Sequence, residues 1–168
     1  PDSASACYPS SCAAKYPAIF GDTIVYQKLW PDYGIMHQYA TRYDLTTGIE
    51  TKISRVDVDD PGLSVYESRI VYLEYLYNWD GNGYSTDLSI DEFAGVGVHN
   101  LIKNNAWQIH PDIYGTAPYV YIVYHDNRNA FRDSGFNLIN NDDVFLYILD
   151  LDSDIQVTTN KSNQQMPV

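Results

Sequence analysis

The sequence predicts an all-β chain of β-propeller-type blades, about three four-stranded antiparallel sheets in an incomplete ring. Related segments of about 40 to 50 residues recur along the chain, and units of that length with four short strands are typical of propeller blades. The composition is that of strands and turns, with 16 Tyr and many Val, Ile and Thr residues interrupted by Gly, Asn and Asp. No segment spaces its apolar residues as a helical repeat requires.

Each unit opens with two strands around the triplet Ile-Val-Tyr. The triplet stands at 24–26, 70–72 and 122–124, and each copy follows a proline and a short polar turn. Successive side chains of a strand point to opposite faces, so Val faces one side of the blade while Ile and Tyr face the other. We expect both faces to be buried between neighbouring blades, which makes the triplet part of the core.

Each unit closes with two further strands joined by a tight turn. The segment RYDLTTGIETKIS from Arg42 aligns without a gap with ILDLDSDIQVTTN from Ile148. The matches divide the chain into an N-terminal segment, three repeats and the start of a fourth copy, in which Pro167 repeats the earlier prolines. The predicted bounds are 1–16, 17–58, 59–108 and 109–161, with the fourth copy beginning in the residues up to 168.

Three motifs stand out within the repeats: Pro-x-Ile-x-Gly-Asp-x-Ile-Val-Tyr at 17–26, the Asp-Asn-Arg-Asn turn at 126–129 and Tyr-Asp-Leu-Thr-Thr-Gly at 43–48. Together they resemble the TolB-like β-propeller repeat of bacterial and archaeal extracellular and surface proteins. The resemblance covers the chain from about Lys15 onwards. It implies a propeller fold and an exterior location but no particular chemistry, because such propellers host binding, scaffolding and enzymatic functions. It also implies a ring of six or more blades, whereas this chain holds three.

The charge balance disfavours two classes of partner. With 22 acidic and 10 basic residues the formal charge is -12, which repels nucleic acid phosphates and anionic membrane surfaces. The longest apolar runs are a few residues, far short of the roughly 20 that span a bilayer. We therefore expect no nucleic acid partner and no membrane span.

The N-terminal segment favours an oxidising, extracellular location. Cys7 and Cys12 have too few nearby ligands for structural zinc, so we expect a small disulfide loop, with two free thiols as the alternative. Asn160 begins a glycosylation sequon, which is compatible with the same location. The chain starts at Pro1 without a signal segment, so we expect a processed product or a piece of a longer protein.

The long turn of the middle repeat predicts a calcium site. Asn78, Asp80 and Asn82 place side-chain oxygens at alternate positions, and a glycine then allows a sharp turn. The carbonyl of Tyr84 and the carboxylate of Asp87 complete the expected ligand set. The alternative is a turn rich in Asn, Gly and Asp that needs no metal.

Other polar and aromatic residues favour structure over catalysis. No nucleophile elbow, zinc-protease motif or phosphate-binding glycine loop is found in the sequence. Adjacent carboxylates are interpreted as solvated loop charges and the histidines as packed residues, with convergence of the third and fourth histidines as the alternative. Aromatic residues assigned to long turns would pack those turns, stack on sugars or contact a partner protein. The residues concerned are Asp59, Asp60, Asp91, Glu92, Asp142 and Asp143; His37, His99, His110 and His125; and Trp30, Tyr33, Tyr77, Trp79 and Tyr84.

The sequence as a whole favours a non-catalytic extracellular scaffold or binding module within a larger surface protein or assembly. Three blades leave two apolar faces in water, so we expect the remaining blades of a parent chain, or other copies of this chain, to cover them. Carbohydrate and protein are the ligand classes compatible with the exposed aromatic residues. The alternative is the propeller portion of a hydrolase or lyase whose catalytic residues lie elsewhere.

Overall fold

The computed structural model describes residues 14–32, 35–56, 62–78, 83–93, 97–102, 106–116, 118–132, 138–139 and 141–159. These residues form three four-stranded antiparallel sheets and a two-stranded ribbon, and they include no α-helix. The predicted fold class is therefore confirmed. Over the same residues no helical segment has the length and apolar character needed to cross a membrane.

Each sheet is a meander in which consecutive strands pair. Sheet 1 contains β1 (Lys15–Phe20), β2 (Thr23–Asp32), β3 (Ile35–Asp44) and β4 (Glu50–Arg55). Sheet 2 contains β5 (Leu63–Tyr66), β6 (Arg69–Asn78), β7 (Gly83–Glu92) and β8 (Gly97–Ile102). Sheet 3 contains β9 (Gln108–Thr116), β10 (Tyr119–Asp126), β13 (Asp143–Ile148) and β14 (Ser153–Gln156). The ribbon of β11 (Phe131–Arg132) and β12 (Leu138–Ile139) lies between β10 and β13 in the chain, and a 3₁₀ turn spans Leu149–Leu151.

The three Ile-Val-Tyr triplets occupy equivalent positions, as the repeat predicts. Each lies in the second strand of its sheet, and the isoleucine of each triplet pairs with an apolar residue of the first strand. Those pairs are Ile24 with Ile19, Ile70 with Val65 and Ile122 with Ile113.

The closing strands are equivalent in a register that differs from the sequence match. Tyr43 of β3 lies opposite Ile24, and Tyr147 of β13 lies opposite Ile122, so Tyr43 and Tyr147 are equivalent. The gapless alignment instead places Tyr43 over Leu149. Six residues separate Tyr43 from its partner Glu50 and six separate Tyr147 from its partner Asp154, so the equivalence in the structure is also gapless but differs by two residues from the sequence match.

The core lies between the sheets and follows one rule of stacking. Val25 of sheet 1 packs in one cluster with Ile70 and Tyr72 of sheet 2. Val71 of sheet 2 packs in a second cluster with sheet 3, including Ile122. Sheet 2 therefore packs the face that carries Ile and Tyr of its triplet against the Val face of sheet 1, and sheet 3 packs against sheet 2 in the same way. Strand β5 contacts both β1 and β9, so the first strands of the sheets are neighbours.

Candidate functional site

The side of sheet 3 turned away from sheet 2 is an apolar surface, here called the open face of sheet 3. On β10 it carries Tyr121 and Val123, which alternate with the buried residues of that strand. Tyr121 pairs with Ile148 and Val123 with Leu146 of β13, and Leu146 pairs with Ile155 of β14. Directly paired residues share a face, so these five side chains form one continuous surface.

This surface is only partly covered. Ile155 is 43% exposed, and Tyr121, Val123, Leu146 and Ile148 are half-buried. The outward positions of β10, β13 and β14 include no Asp, Glu, Lys or Arg, while on β9 the exposed Asp112 pairs with Val123 and accepts a hydrogen bond from Ser64 at 2.6 Å. A largely apolar sheet face of this kind is typical of a surface that packs against protein.

A row of aromatic rings crosses the first strands of the three sheets. Phe20, Tyr66 and Tyr114 are equivalent, because each pairs with the residue directly before the triplet of its sheet. The Phe20 and Tyr66 rings are 4.8 Å apart, and the Tyr66 and Tyr114 rings are 6.0 Å apart. Tyr114 is the most exposed of the three, at 64%. Burial is the largest of the effects that raise the pKa of Tyr66, and the charge of Glu67 adds to it.

The opposite end of the molecule, the open face of sheet 1, carries a polar trio. Lys28 Nζ donates hydrogen bonds to the Glu50 oxygens at 2.8 and 2.6 Å, and the Tyr26 hydroxyl also donates to Glu50. Burial opposes ionisation of Glu50, but the bonds from Lys28 and Tyr26 outweigh it and lower the pKa of Glu50. Burial, followed by the bond to Glu50, raises the pKa of Tyr26. The trio is therefore a cation, a carboxylate and a neutral phenol that satisfy one another.

Sheet 3 repeats this trio on its packed side. Arg128 Nη1 lies 2.6 Å from Asp154 Oδ2, the Tyr124 hydroxyl donates to Asp154 Oδ1 at 2.7 Å, and Arg128 Nη2 donates to the Tyr124 hydroxyl at 2.9 Å. Tyr124 is fully buried, and burial is the main cause of its raised pKa. The Arg128 guanidinium also lies 4.0 Å from the Phe145 ring centroid. The turn motif that carries the family resemblance thus fixes the edge of the blade.

The carboxylate Asp143 is an anchor for the same edge. It is fully buried and accepts bonds from Asn129 at 2.8 Å, Asn141 at 2.9 Å, Gln156 at 2.9 Å and Thr158 at 3.1 Å. The interpretation of this residue as a solvated loop charge is wrong. Four side-chain donors, three from connecting segments and one from β14, replace its hydration, which is how a buried carboxylate is tolerated.

Two histidines from different strands come together, which was the alternative considered for the sequence. The His110 and His125 rings are 5.6 Å apart. His125 is fully buried, and neither of its ring nitrogens has a hydrogen-bond partner. Burial and the nearby His110 lower the pKa of His125, and Asp142 opposes them. The residues described include no group of three His, Cys, Asp or Glu placed to hold a metal ion.

The predicted calcium loop lies at the tip of the hairpin between β6 and β7. Asn78 ends β6 and pairs with Gly83, and Tyr84 follows on β7. Asp80 and Asn82 lie outside the described residues. The calcium site therefore stays a prediction.

Asp87 is placed away from that tip. It pairs with Glu74 in the middle of the hairpin, four residue pairs from the pair formed by Asn78 and Gly83. Its exposed fraction is 2%. Cys7, Cys12 and Asn160 lie outside the described part of the chain, so the disulfide and the glycosylation site stay predictions.

The aromatic residues assigned to long turns are placed differently. Trp30 lies in β2, where its indole N–H donates to Thr41 Oγ1 at 3.0 Å and Lys28 Nζ lies 4.8 Å from the ring centroid. Tyr77 and Tyr84 pair with each other across β6 and β7. The strands of both hairpins extend further than the turn residues indicate, so these three assignments to turns are wrong. Tyr33, Trp79, Asp59, Asp60 and the side chain of His99 are outside the description, while His37 lies half-buried in β3.

Sequence reasoning missed the open face of sheet 3 and the aromatic row. The available signal was an aromatic residue near the end of each first strand, directly before the turn for Phe20 and Tyr66 and two residues earlier for Tyr114. The third hairpin continues for two residue pairs beyond Tyr114, so Tyr114 lies four residues further from its triplet than Phe20 and Tyr66 do from theirs, which hides its equivalence in a simple alignment.

The chain resembles solved structures at low similarity. It matches the Bombyx mori GH32 β-fructofuranosidase BmSUC1 with a TM-score of 0.45 and 13% identity, over 89% of this chain and 36% of that chain. A mutant of that enzyme in complex with sucrose gives 0.43 and 14% over the same shares, 89% and 36%. TolB from Acinetobacter baumannii gives 0.32 and 13%, over 88% and 44%.

The chain therefore spans 36% of the length of the first two structures and 44% of the third. No residue role in these proteins is carried over to this chain. No protein-family model matches the sequence, and no curated protein matches it.

Proposed function

We propose that this chain is a non-catalytic extracellular β-propeller scaffold segment that binds other protein through the open face of sheet 3. The single observation that carries the proposal is the partly exposed apolar surface formed by Tyr121, Val123, Leu146, Ile148 and Ile155. Removing apolar surface from water contributes roughly 25 cal/mol per Å², so covering such a face drives association.

The construction of the surface supports a protein partner over a small ligand. Val123 on this face is equivalent to Val71 of sheet 2, and Val71 is fully buried against sheet 3. Sheet 2 thus shows what occupies the Val face of a blade in this molecule, namely the next four-stranded sheet. A flat sheet face is also unlike the concave pockets that bind small molecules.

Extracellular location is part of the proposal and is supported by composition. The excess of acidic residues, with a formal charge of -12, suits a protein exposed to cation-rich surroundings, and the close spacing of Cys7 and Cys12 in the sequence supports a disulfide. Recovery of the natural protein from the cell exterior with that disulfide formed is expected. Recovery from the cytoplasm with both thiols reduced would contradict the location and leave the binding face untouched.

Site-specific photo-crosslinking tests the binding face. The natural polypeptide would carry a photoreactive amino acid in place of Val123, and a matched control would carry it in place of Thr47, an exposed residue of the turn between β3 and β4. We expect Val123 to crosslink efficiently to a β-sheet segment, identified by mass spectrometry, and Thr47 to crosslink little. A crosslinking yield at Val123 no higher than that at Thr47 would show that no protein covers the open face of sheet 3.

The calcium loop is proposed as a separate stabilising element. Asn78, Asp80, Asn82 and the Tyr84 carbonyl are the favoured ligands, while the hairpin register places Asp87 further away. Calcium that binds only the folded state raises the melting temperature. We expect millimolar calcium to raise the melting temperature of the natural chain and of Asp87→Asn, and not that of Asp80→Ala. An unchanged melting temperature in the natural chain would dispose of the site.

A further inference from the structure

The contact between sheets 2 and 3 contains a specific interlock of an aromatic ring with a glycine. The ring of Tyr66 lies directly against Gly115 of β9. A Cβ atom added at Gly115 would overlap that ring and lie 2.9 Å from its hydroxyl oxygen. Only glycine lets the ring approach the backbone this closely, so the pair fixes how one blade sits on the next.

The open face of sheet 3 carries a tyrosine equivalent to Tyr66, namely Tyr114, but no glycine of the described residues packs against its ring. Tyr114 is equivalent to Tyr66, because Tyr66 pairs with the residue before the second triplet and Tyr114 with the residue before the third. Tyr66 is half-buried against sheet 3, whereas Tyr114 is 64% exposed. Tyr114 also pairs with Tyr121, so it extends the apolar surface formed by β10, β13 and β14.

The open face of sheet 1 carries a glycine, Gly21, against which no aromatic ring of the described part of the chain packs. Gly21 follows Phe20 as Gly115 follows Tyr114. A Cβ atom added at Gly21 would meet no atom within 4 Å, so the backbone there is open to an incoming group. Ile19 beside it is 64% exposed and pairs with Ile24 on the same face.

The polar part of the sheet 1 face also matches a surface that is buried elsewhere in the molecule. Tyr26 and Glu50 correspond to Tyr124 and Asp154, since Glu50 pairs with Tyr43 as Asp154 pairs with the equivalent Tyr147. Tyr124 is fully buried on the side of sheet 3 that packs on sheet 2. The sheet 1 face is therefore built like the surface that a Val face receives inside this chain.

We propose that two copies of this chain associate head to tail, with the open face of sheet 3 of one copy on the open face of sheet 1 of the other and Tyr114 seated on Gly21. The proposal rests on the proposed function and names a second copy as the partner. The two faces are different surfaces, so the contact is heterologous. It closes into a ring if the rotation between copies allows and otherwise extends as a chain.

Sedimentation velocity of the full chain with faces inactivated one at a time tests this pairing. Leu146→Asp places a charge in the open face of sheet 3, and Ile19→Asp does so in the open face of sheet 1. We expect the natural chain to associate with rising concentration and each variant to lose at least about tenfold in affinity for itself. An equimolar mixture of the two variants retains one intact face of each kind, so we expect it to form a one-to-one complex.

Three controls separate a lost interface from a lost fold. Tyr114→Ala alters an exposed ring, so it is expected to weaken association even if Leu146→Asp proves to be unfolded by circular dichroism. Thr47→Asp, in an exposed turn, is expected to associate like the natural chain. Because Ile19→Asp keeps the sheet 3 face intact, it also distinguishes head-to-tail contact from contact between two sheet 3 faces.

Two results would overturn the proposal. Association of Ile19→Asp with itself at natural strength would show that the sheet 1 face takes no part. A natural chain that stays monomeric across a hundredfold range of concentration would exclude a second copy as the partner. In that second case the crosslinking yield at Val123 still decides whether the open face of sheet 3 binds another protein, so the two proposals fail separately.

Discussion

The two faces of sheet 3 are formed by alternate residues of the same strands but have different surroundings. Ile122 and Tyr124 of β10 are fully buried against sheet 2, whereas Val123 between them is half-buried on the open face. In β6 of sheet 2 the three residues of the triplet 70–72 are all fully buried, because that sheet has a neighbour on each side. The alternation of a strand defines its two faces, and the neighbouring sheets determine which face is covered.

The largest expected effect comes from comparing the same substitution on the two faces. Ile122→Ala removes a fully buried side chain and leaves a cavity, so we expect a loss of about 2 to 5 kcal/mol in the free energy of unfolding. Ile155→Ala acts on a side chain that is 43% exposed, and we expect a loss below about 1 kcal/mol. Urea unfolding of the monomeric chain measures both. Equal losses would show that the open face is packed in the monomer.

A second comparison concerns the glycine on the packed face. Gly115→Ala forces the Tyr66 ring to move, so we expect a loss of about 1 to 3 kcal/mol, the usual range for overpacking. Thr116→Ala, at the next and exposed position, is the matched control and is expected to change little.

A double-mutant cycle identifies the cause of that loss. In a chain that already carries Tyr66→Ala, the ring is gone and Gly115→Ala is expected to be nearly neutral. If Gly115→Ala were as damaging in that background, backbone conformation rather than contact with the ring would explain the effect. The inferred interlock between blades would then lose its physical basis.

The sequence predicted the fold well because the fold depends on repeated local patterns. The triplets at 24–26, 70–72 and 122–124 carry strand propensity and a fixed position in the blade, and both properties can be read from one chain. The pairing of Tyr66 with Gly115, in contrast, joins residues whose contact depends on how two sheets stack. No local pattern reports that geometry.

The candidate site was less predictable for a related reason. Tyr114 and Val123 have the composition of core residues, and only the order of the sheets leaves them on an open face. Asp143 stands among polar, turn-forming residues in the sequence, yet four side-chain donors from other parts of sheet 3 and its connections make it a buried anchor. Solvent exposure and satisfaction of buried charge are properties of the packed blade.

On the open side of β10 one residue, His125, is covered, and the pH dependence of stability tests this. His125 pairs with Val144 on that side but is fully buried, and burial and His110 lower its pKa in the folded state while Asp142 opposes them. In the unfolded chain a histidine has a pKa of about 6.5, so below that pH His125 binds a proton more readily in the unfolded chain than in the folded chain. Stability from this group is therefore complete above about pH 6.5 and is lost as pH falls below it.

Urea unfolding at a series of pH values measures the effect. His125→Leu removes the titrating ring, so its stability is expected to fall less than that of the natural chain between about pH 7 and the folded-state pKa. His37→Gln removes a histidine from another sheet and controls for the change in total charge. Parallel stability curves for His125→Leu and the natural chain would show that folding does not hinder protonation of His125. His125 would then be accessible to water, as part of the open face.

The smallest expected effect concerns the turn that precedes each triplet. The first turn residue is Gly21 in sheet 1, with φ +55°, and Glu67 in sheet 2, with φ 53°. Glycine adopts this left-handed region freely, whereas another residue pays roughly 1 to 2 kcal/mol for it. Glu67 gains little in return, because its contact with Arg69 at 3.7 Å is a surface ion pair.

We therefore expect Glu67→Gly to raise the free energy of unfolding by up to about 1 kcal/mol, less than the strain itself because glycine also loses more entropy on folding. Gly21→Ala is the reverse exchange, and we expect it to lower stability by about 1 kcal/mol, since an added Cβ there meets no atom and only the backbone is strained. Thermal unfolding of both variants tests the pair. If Glu67→Gly were less stable than the natural chain, the contacts of Glu67 with Arg69 and with the neighbouring Tyr66 would outweigh the strain, and the turn of the middle blade would belong to its interface with sheet 3.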